Sequence, residues 1–212
     1  MSGRTDGDAL AEAMDVVRLR RLNRWQAEGL REDLADLYVE SATVVPGGEY
    51  HNREAFLERL AADVQRPGFD MLVAETAALA GFVEGYPLPR DGSWWQGLAG
   101  PMPHDLEQLT ASGHLFAISE LAVHPHERDR GIAKHLQERL LTDNEASVAA
   151  TLLDASNPAA VASFRTWGWQ EIGEVRRPAG PPVLSLLILA LGERSADRPD
   201  GLAHNDQTQR PE

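Results

Sequence analysis

The sequence predicts an α/β sandwich, one mixed sheet with helices packed against it. Two observations carry that expectation. Short apolar blocks with strand spacing alternate along the chain with longer blocks whose apolar residues recur every three to four positions. The chain has 212 residues, 42% hydrophobic and 25% charged, which suits one substantial globular domain better than two.

The elements follow in order. Asp15 to Arg20 reads as a first strand. Residues 24–41 carry Trp25, Leu30, Leu34, Leu37 and Tyr38 at helical spacing, and Pro46-Gly47-Gly48 breaks the region that follows. Arg53 to Val64 places Phe56, Leu57, Leu60 and Val64 on one helical stripe, ended by Pro67-Gly68. Phe69–Glu75 and Ala78–Tyr86 read as two strands around a turn at Thr76-Ala77. Pro87 to about Ser112 reads as a long irregular stretch, rich in Gly and Pro and holding Trp94-Trp95; loops of that length are commonly functional or disordered. His114–Val123 is the next strand, stopped by Pro125, and Gly131–Thr142 is a helix with Ile132, Leu136 and Leu140 on one face. Ala149–Ala155 is a strand, and Pro158–Trp167 is a helix with Asn157 as N-cap. Gln170–Arg176 and Val183–Leu191 close the sheet. The folded domain is expected over 15–192, between a disordered leader at 1–14 and a polar, disordered tail at 193–212.

Composition removes several function classes. No apolar run approaches the roughly 20 residues that span a bilayer. The first fifteen residues lack the basic start and apolar core of a secretory signal, so a cytoplasmic location without membrane association is expected. There is no cysteine, hence no disulfide and no thiol nucleophile. The net charge of -13 leaves no basic footprint for nucleic acid. The same negative field favours cationic substrates such as amines, although it also serves simply to keep a protein soluble.

The informative stretch runs from Ile118 to Ala133. A strand ends in Val123-His124-Pro125, and the turn Arg128-Asp129-Arg130-Gly131-Ile132-Ala133 opens a helix. The first turn of a helix has free backbone N–H groups and partial positive charge, which together suit a phosphate. Gly131 permits close approach, Ala133 stays small, and Arg128 and Arg130 add charge. With Glu120-Leu121-x-Val123-x-Pro125 before it, the pattern Arg128-x-x-Gly131-x-Ala133 resembles motif A of the GNAT acetyltransferases. Asn157, Ala160, Phe164, Gly168 and Trp169 resemble the family's next block at its spacing.

The resemblance implies a GNAT-like fold with a central mixed, mostly antiparallel sheet, its cofactor in the splay between the fourth and fifth strands. It implies that acetyl-CoA or another acyl-CoA meets the backbone of Leu121, Ala122 and Val123, with its pyrophosphate on the amides of Arg128, Asp129, Arg130, Gly131, Ile132 and Ala133. Asn157 would also touch the cofactor, and Phe164 would lie near its thiol. The activity implied is N-acetyl transfer by direct attack of an amine, from a small molecule, peptide or protein. A non-catalytic acyl-CoA-binding regulatory module of the same fold is the alternative.

Amine chemistry needs a base. A primary amine has a pKa near 10, so about one molecule in a thousand is neutral at pH 7. Glu120, beside the proposed cofactor strand, is the first candidate, and a base there is worth roughly 10²–10⁴-fold. Many relatives have Tyr where this chain has Phe164, which cannot protonate the departing thiolate. A thiol of pKa about 8.5 still leaves tolerably well, and water or Ser163 can stand in.

Other residues are weaker candidates. Trp94 and Trp95 are expected either to wall the acceptor site, stacking on a cation, or to cover a sheet edge. Glu75, Glu84 and Asp91 are each able to supply negative charge to an amine. His124-x-His126 lacks the further ligands of a metal site, so no metal is expected. His104, His114 and His135 read as exposed, and Trp167 and Trp169 as core. A nucleotide-binding enzyme fares poorly, because neither Gly-x-Gly-x-x-Gly nor a Lys-Ser/Thr phosphate loop is present. A homodimer is compatible with exposed strands and aromatic patches.

Overall fold

A computed structural model of the chain describes residues 16–41, 53–177 and 183–192. The expected leader and tail lie outside the described residues. Seven strands form one sheet: β1 (Arg18–Leu22), β2 (Asp70–Glu75), β3 (Leu79–Pro87), β4 (Leu115–Val123), β5 (Val148–Asp154), β6 (Gln170–Arg176) and β7 (Val183–Ala190), in the order β1-β2-β3-β4-β5-β7-β6. Every neighbouring pair is antiparallel except β4 and β5. The expected mixed, mostly antiparallel sheet with flanking helices is what the chain forms.

Helices α1 (Arg24–Gly29), α2 (Arg31–Ser41) and α3 (Arg53–Asp63) precede β2; α4 (His104–Ser112) precedes β4; α5 (Ile132–Thr142) and α6 (Pro158–Thr166) flank β5. A capping box starts α1: the Gln26 N–H donates to Asn23 Oδ1, and the Asn23 N–H donates to Gln26 Oε1, both at 2.9 Å. Residues 24–41 do not run as one helix. The chain breaks at Leu30, and the new start lets Leu34, Ala35, Leu37 and Tyr38 face the sheet while Trp25 is left 74% exposed. The first strand is displaced from the expected Asp15–Arg20 to Arg18–Leu22, because its register sets Leu22 against Met71 in the core.

The two sheet faces have separate coats. On one, Leu72, Val83, Phe116, Ile118, Ala149 and Leu187 meet Ile132, Leu136 and Leu140 of α5 and Phe164 of α6. On the other, Met71, Val73, Phe82 and Ala122 meet α1–α3 through Leu34, Tyr38, Phe56 and Leu60. The same face continues under β5 and β7, where Leu115, Ala117, Ala150 and Leu186 are covered by Trp95 and Leu106. That cover comes from the stretch expected to be irregular. It holds a 3-10 turn at Ser93–Trp95 and the helix α4, whose Leu106 and Thr110 are one turn apart and buried and whose end is capped by Gly113. The short apolar repeat forms a helix because the sheet supplies the surface it needs.

Two irregularities shape the centre. β4 and β5 pair only from Leu115↔Val148 to Ile118↔Thr151. Beyond that, Leu121, Ala122 and Val123 pair with β3 alone, and Leu152, Leu153 and Asp154 pair with β7 alone, so the strands part into a cleft. At the same level Glu84 faces Glu120 and Gly85 faces Ile118, which leaves Ser119 as the extra residue of a bulge. Gly85 permits the close approach there, since a Cβ would stand 2.3 Å from the Ala117 carbonyl oxygen.

Candidate active site

The strands that part at Ser119 present different chemistry on their two sides. Toward β5, the β4 edge at Leu121–Val123 has no β5 partner. It leads through a 3-10 turn at Pro125–Glu127 into the N-terminus of α5. The N-cap there is Gly131, at φ 73°, and it makes no side-chain cap. A Cβ at Gly131 would meet no atom within 4 Å, so the space above the helix start is open. Asp129, at φ 63°, is the only non-glycine among the described residues in the left-handed region. Two such residues so close together curl the backbone into a concave run of N–H groups, the kind of nest that binds anions. The arginines serve the loop's shape as well as its charge. Arg128 Nη2 donates to the Ser41 carbonyl oxygen at 2.6 Å, tying the loop to the end of α2, and Arg130 pairs with Glu127. Ile132 is buried beneath the loop and Ala133 is half-buried.

On the far side of the cleft, Asn157 caps α6 by accepting the Ala160 N–H at 3.1 Å. Phe164 is buried, with its ring 4.9 Å from Trp167 and 5.3 Å from Trp169. Ser163 directs its hydroxyl to the Ala159 carbonyl oxygen at 3.0 Å.

The other side of β4 carries the carboxyls. Glu120 lies on the face covered by α2 and α3, and its side chain is 24% exposed. Burial pushes its pKa from 4.5 to about 7, against the opposing pull of Arg59 and of the Leu121 N–H. Arg59 reaches Glu120 only at 3.4 Å, through Nη2. Its guanidinium also lies 5.4 Å from the centre of the Tyr38 ring, which stacks on Phe56 at 4.7 Å. Glu84 stands opposite Glu120 across the strand pair and is 2% exposed. Burial, then the charges of Glu120 and Asp63, holds its carboxyl well above the usual range. Asp63 is bound by Arg66 at 2.6 Å, and Arg66 lies 4.3 Å over the Tyr86 ring. Trp94 lies beside the Tyr86 hydroxyl.

The structure therefore sorts the sequence candidates. Glu84 joins Glu120, whereas Glu75 is bound to Arg20 at 2.6 Å and Asp91 accepts the Ser93 N–H at 2.9 Å. Trp94 lies beside Tyr86, partly buried against the cluster that holds Trp95. Trp95 is buried under the sheet and donates its indole N–H to Thr110 at 2.9 Å. His104, His114 and His135 are exposed, and His124 pairs with Glu40 at 3.2 Å. No group of three or more metal-ligating side chains occurs among the described residues. No helix among them is long and apolar enough to cross a membrane. Sequence reasoning missed Tyr38, Arg59, Asp63, Arg66 and Tyr86. The spacing gave one signal, since Arg59 and Asp63 of α3 and Arg66 just beyond its end recur every three to four residues.

A profile of the Acetyltransferase (GNAT) family matches residues 29–169. Solved structures share the fold at low identity. Arabidopsis thaliana NAA60 in complex with acetyl-CoA is 16% identical, covering 83% of this chain and 99% of its own, with a TM-score of 0.56. The ribosomal-protein-S18-alanine N-acetyltransferase of Escherichia coli is 16% identical, covering 84% and 98%, at 0.53. A mutant of the spermidine N-acetyltransferase SpeG of Vibrio cholerae is 16% identical, covering 82% and 93%, at 0.52. No curated protein sequence matches the chain.

Proposed function

The chain belongs to the GNAT acetyltransferase family, whose cofactor is acetyl-CoA, and we propose that it is an N-acetyltransferase acting on a primary amine with Glu120 as the base. The carrying observation is the placement of Glu120, on β4 just past its last pair with β5 and mostly covered by α2 and α3, where burial pushes its pKa up to about 7. Half ionised near neutrality, it can accept a proton without first being neutralised by a strong ion pair.

The cleft fits the donor. The Gly131 nest would hold the pyrophosphate on backbone amides of 128–133, and the edge of Leu121–Val123 would run beside the pantetheine arm. Asn157 borders the cleft from α6. When bound, acetyl-CoA would supply an activated acetyl carbon for transfer to the amine, with coenzyme A as the leaving group. Glu120 takes a proton from the ammonium and frees the nitrogen lone pair. Tyr38, Arg59 and Tyr86 shape the acceptor side and limit its water. With Phe164 in the core, the departing thiolate receives its proton from solvent; a thiol pKa of about 8.5 makes that adequate.

The acceptor is an amine of a small molecule, peptide or protein. Structural neighbours named for spermidine and for the alanine of a ribosomal protein support that breadth and no narrower choice. The test is calorimetric binding of acetyl-CoA, followed by thiol release with a panel of primary amines. Turnover on at least one amine is expected. Tight binding with no turnover on any would replace this reading with a non-catalytic acyl-CoA-binding module.

A further inference from the structure

Glu84 Oε2 is the one buried side-chain oxygen or nitrogen among the described residues that lacks a hydrogen-bond partner. Native interiors rarely leave such an atom unpaired, because desolvating it without compensation is costly. Its position gives a reason. Glu84 and Glu120 are directly opposed in register, and the side chains of such pairs start roughly 5 Å apart. The charged neighbours are engaged elsewhere: Arg59 turns to Glu120 and Tyr38, and Arg66 turns to Asp63. Burial and the neighbouring carboxylates disfavour ionisation of Glu84, and its unpaired Oε2 offers an accepting oxygen beside Glu120.

We propose that Glu84 is a specificity-determining residue whose Oε2 accepts one N–H of the incoming primary amine, holding the nitrogen between Glu84 and Glu120. This rests on the reading above that Glu120 faces the acceptor. An ammonium has three N–H groups, so one can pass its proton to Glu120 while another stays on Glu84. An alcohol has one O–H and cannot donate to both carboxyls at once. The pair therefore selects amines over hydroxyl acceptors, and it completes the unpaired oxygen only when an amine is present.

The experiment compares the wild type, Glu84→Leu and Glu84→Gln by thermal unfolding at pH 7.5, with and without n-butylamine. Leucine removes the orphaned carboxyl and is expected to raise Tm by about 2–4 °C. Butylamine is expected to raise Tm of the wild type and of Glu84→Gln, which keeps an accepting oxygen, but not that of Glu84→Leu. With a working amine substrate, Glu84→Leu should lose at least tenfold in kcat/KM, Glu84→Gln should stay within threefold, and acetyl-CoA affinity should be unchanged. A lower Tm for Glu84→Leu would make the residue structural and overturn the assignment. Equal butylamine shifts in all three proteins, including none in any, would overturn it as well. An amine shift without thiol release from any amine would keep the assignment and sink the catalytic reading instead.

Discussion

The two sides of β4 are built in different ways. The proposed donor side is a continuous piece of chain: Leu121 to Ala133 runs from strand edge to turn to helix, and the groups proposed to bind the cofactor are backbone amides. The proposed acceptor side is assembled from α2, α3, β3, β4 and the turn at Trp94, and its chemistry would lie in side chains up to 82 positions apart in sequence, from Tyr38 to Glu120. A local motif can specify a phosphate-shaped cradle, because backbone geometry within one turn is enough. A buried carboxyl of raised pKa requires walls, and walls come from elsewhere in the chain.

The largest expected effect belongs to the acceptor side. Glu120→Gln should reduce kcat/KM by roughly 10²-fold or more and abolish the rise in rate with pH that is expected of the wild type through about pH 7. A pH–rate profile checks it, and an unchanged profile would move the base to another group. Next comes the contrast between the two tryptophans. Trp95→Ala removes a buried indole and its bond to Thr110 and should cost about 3–5 kcal/mol in denaturant unfolding. Trp94→Ala, at a residue only partly buried against the same cluster, should cost clearly less stability and raise the acceptor KM; equal stability losses would erase the distinction between wall and core.

On the donor side, Gly131→Trp fills the open space above α5 with a side chain at a strained positive φ. Acetyl-CoA affinity, measured by calorimetry, should fall at least tenfold, while amine-induced thermal shifts persist. The smallest effect concerns stability against pH. Glu120 binds its proton more tightly folded than unfolded, so between 4.5 and about 7 the unfolded chain loses the proton first. Stability therefore falls as pH rises through that window and levels above it. Allowing for the quarter of the side chain that meets solvent, the loss is on the order of 1–2 kcal/mol, and Glu120→Gln should remove it.

Sequence and structure agree most where periodicity is strong. α5, with Ile132, Leu136 and Leu140 on one stripe, was legible because it buries a regular face. Elements that depend on a neighbour were not. α4 is too short to hold itself together without the sheet beneath Leu106, and the break at Leu30 follows from which residues α2 must turn inward. Trp94 and Trp95 are identical in type and adjacent, yet one lies beside Tyr86 and the other beneath the sheet.

By itself, the sequence determined the family, the order of most elements and the turn at Gly131, because each depends on residues within a few positions of one another. Only the tertiary structure decided that Glu84, rather than Glu75 or Asp91, stands against Glu120. That choice depends on strand register and on a one-residue bulge at Ser119, and no local spacing encodes the registry of two strands separated by a helix and a long connection.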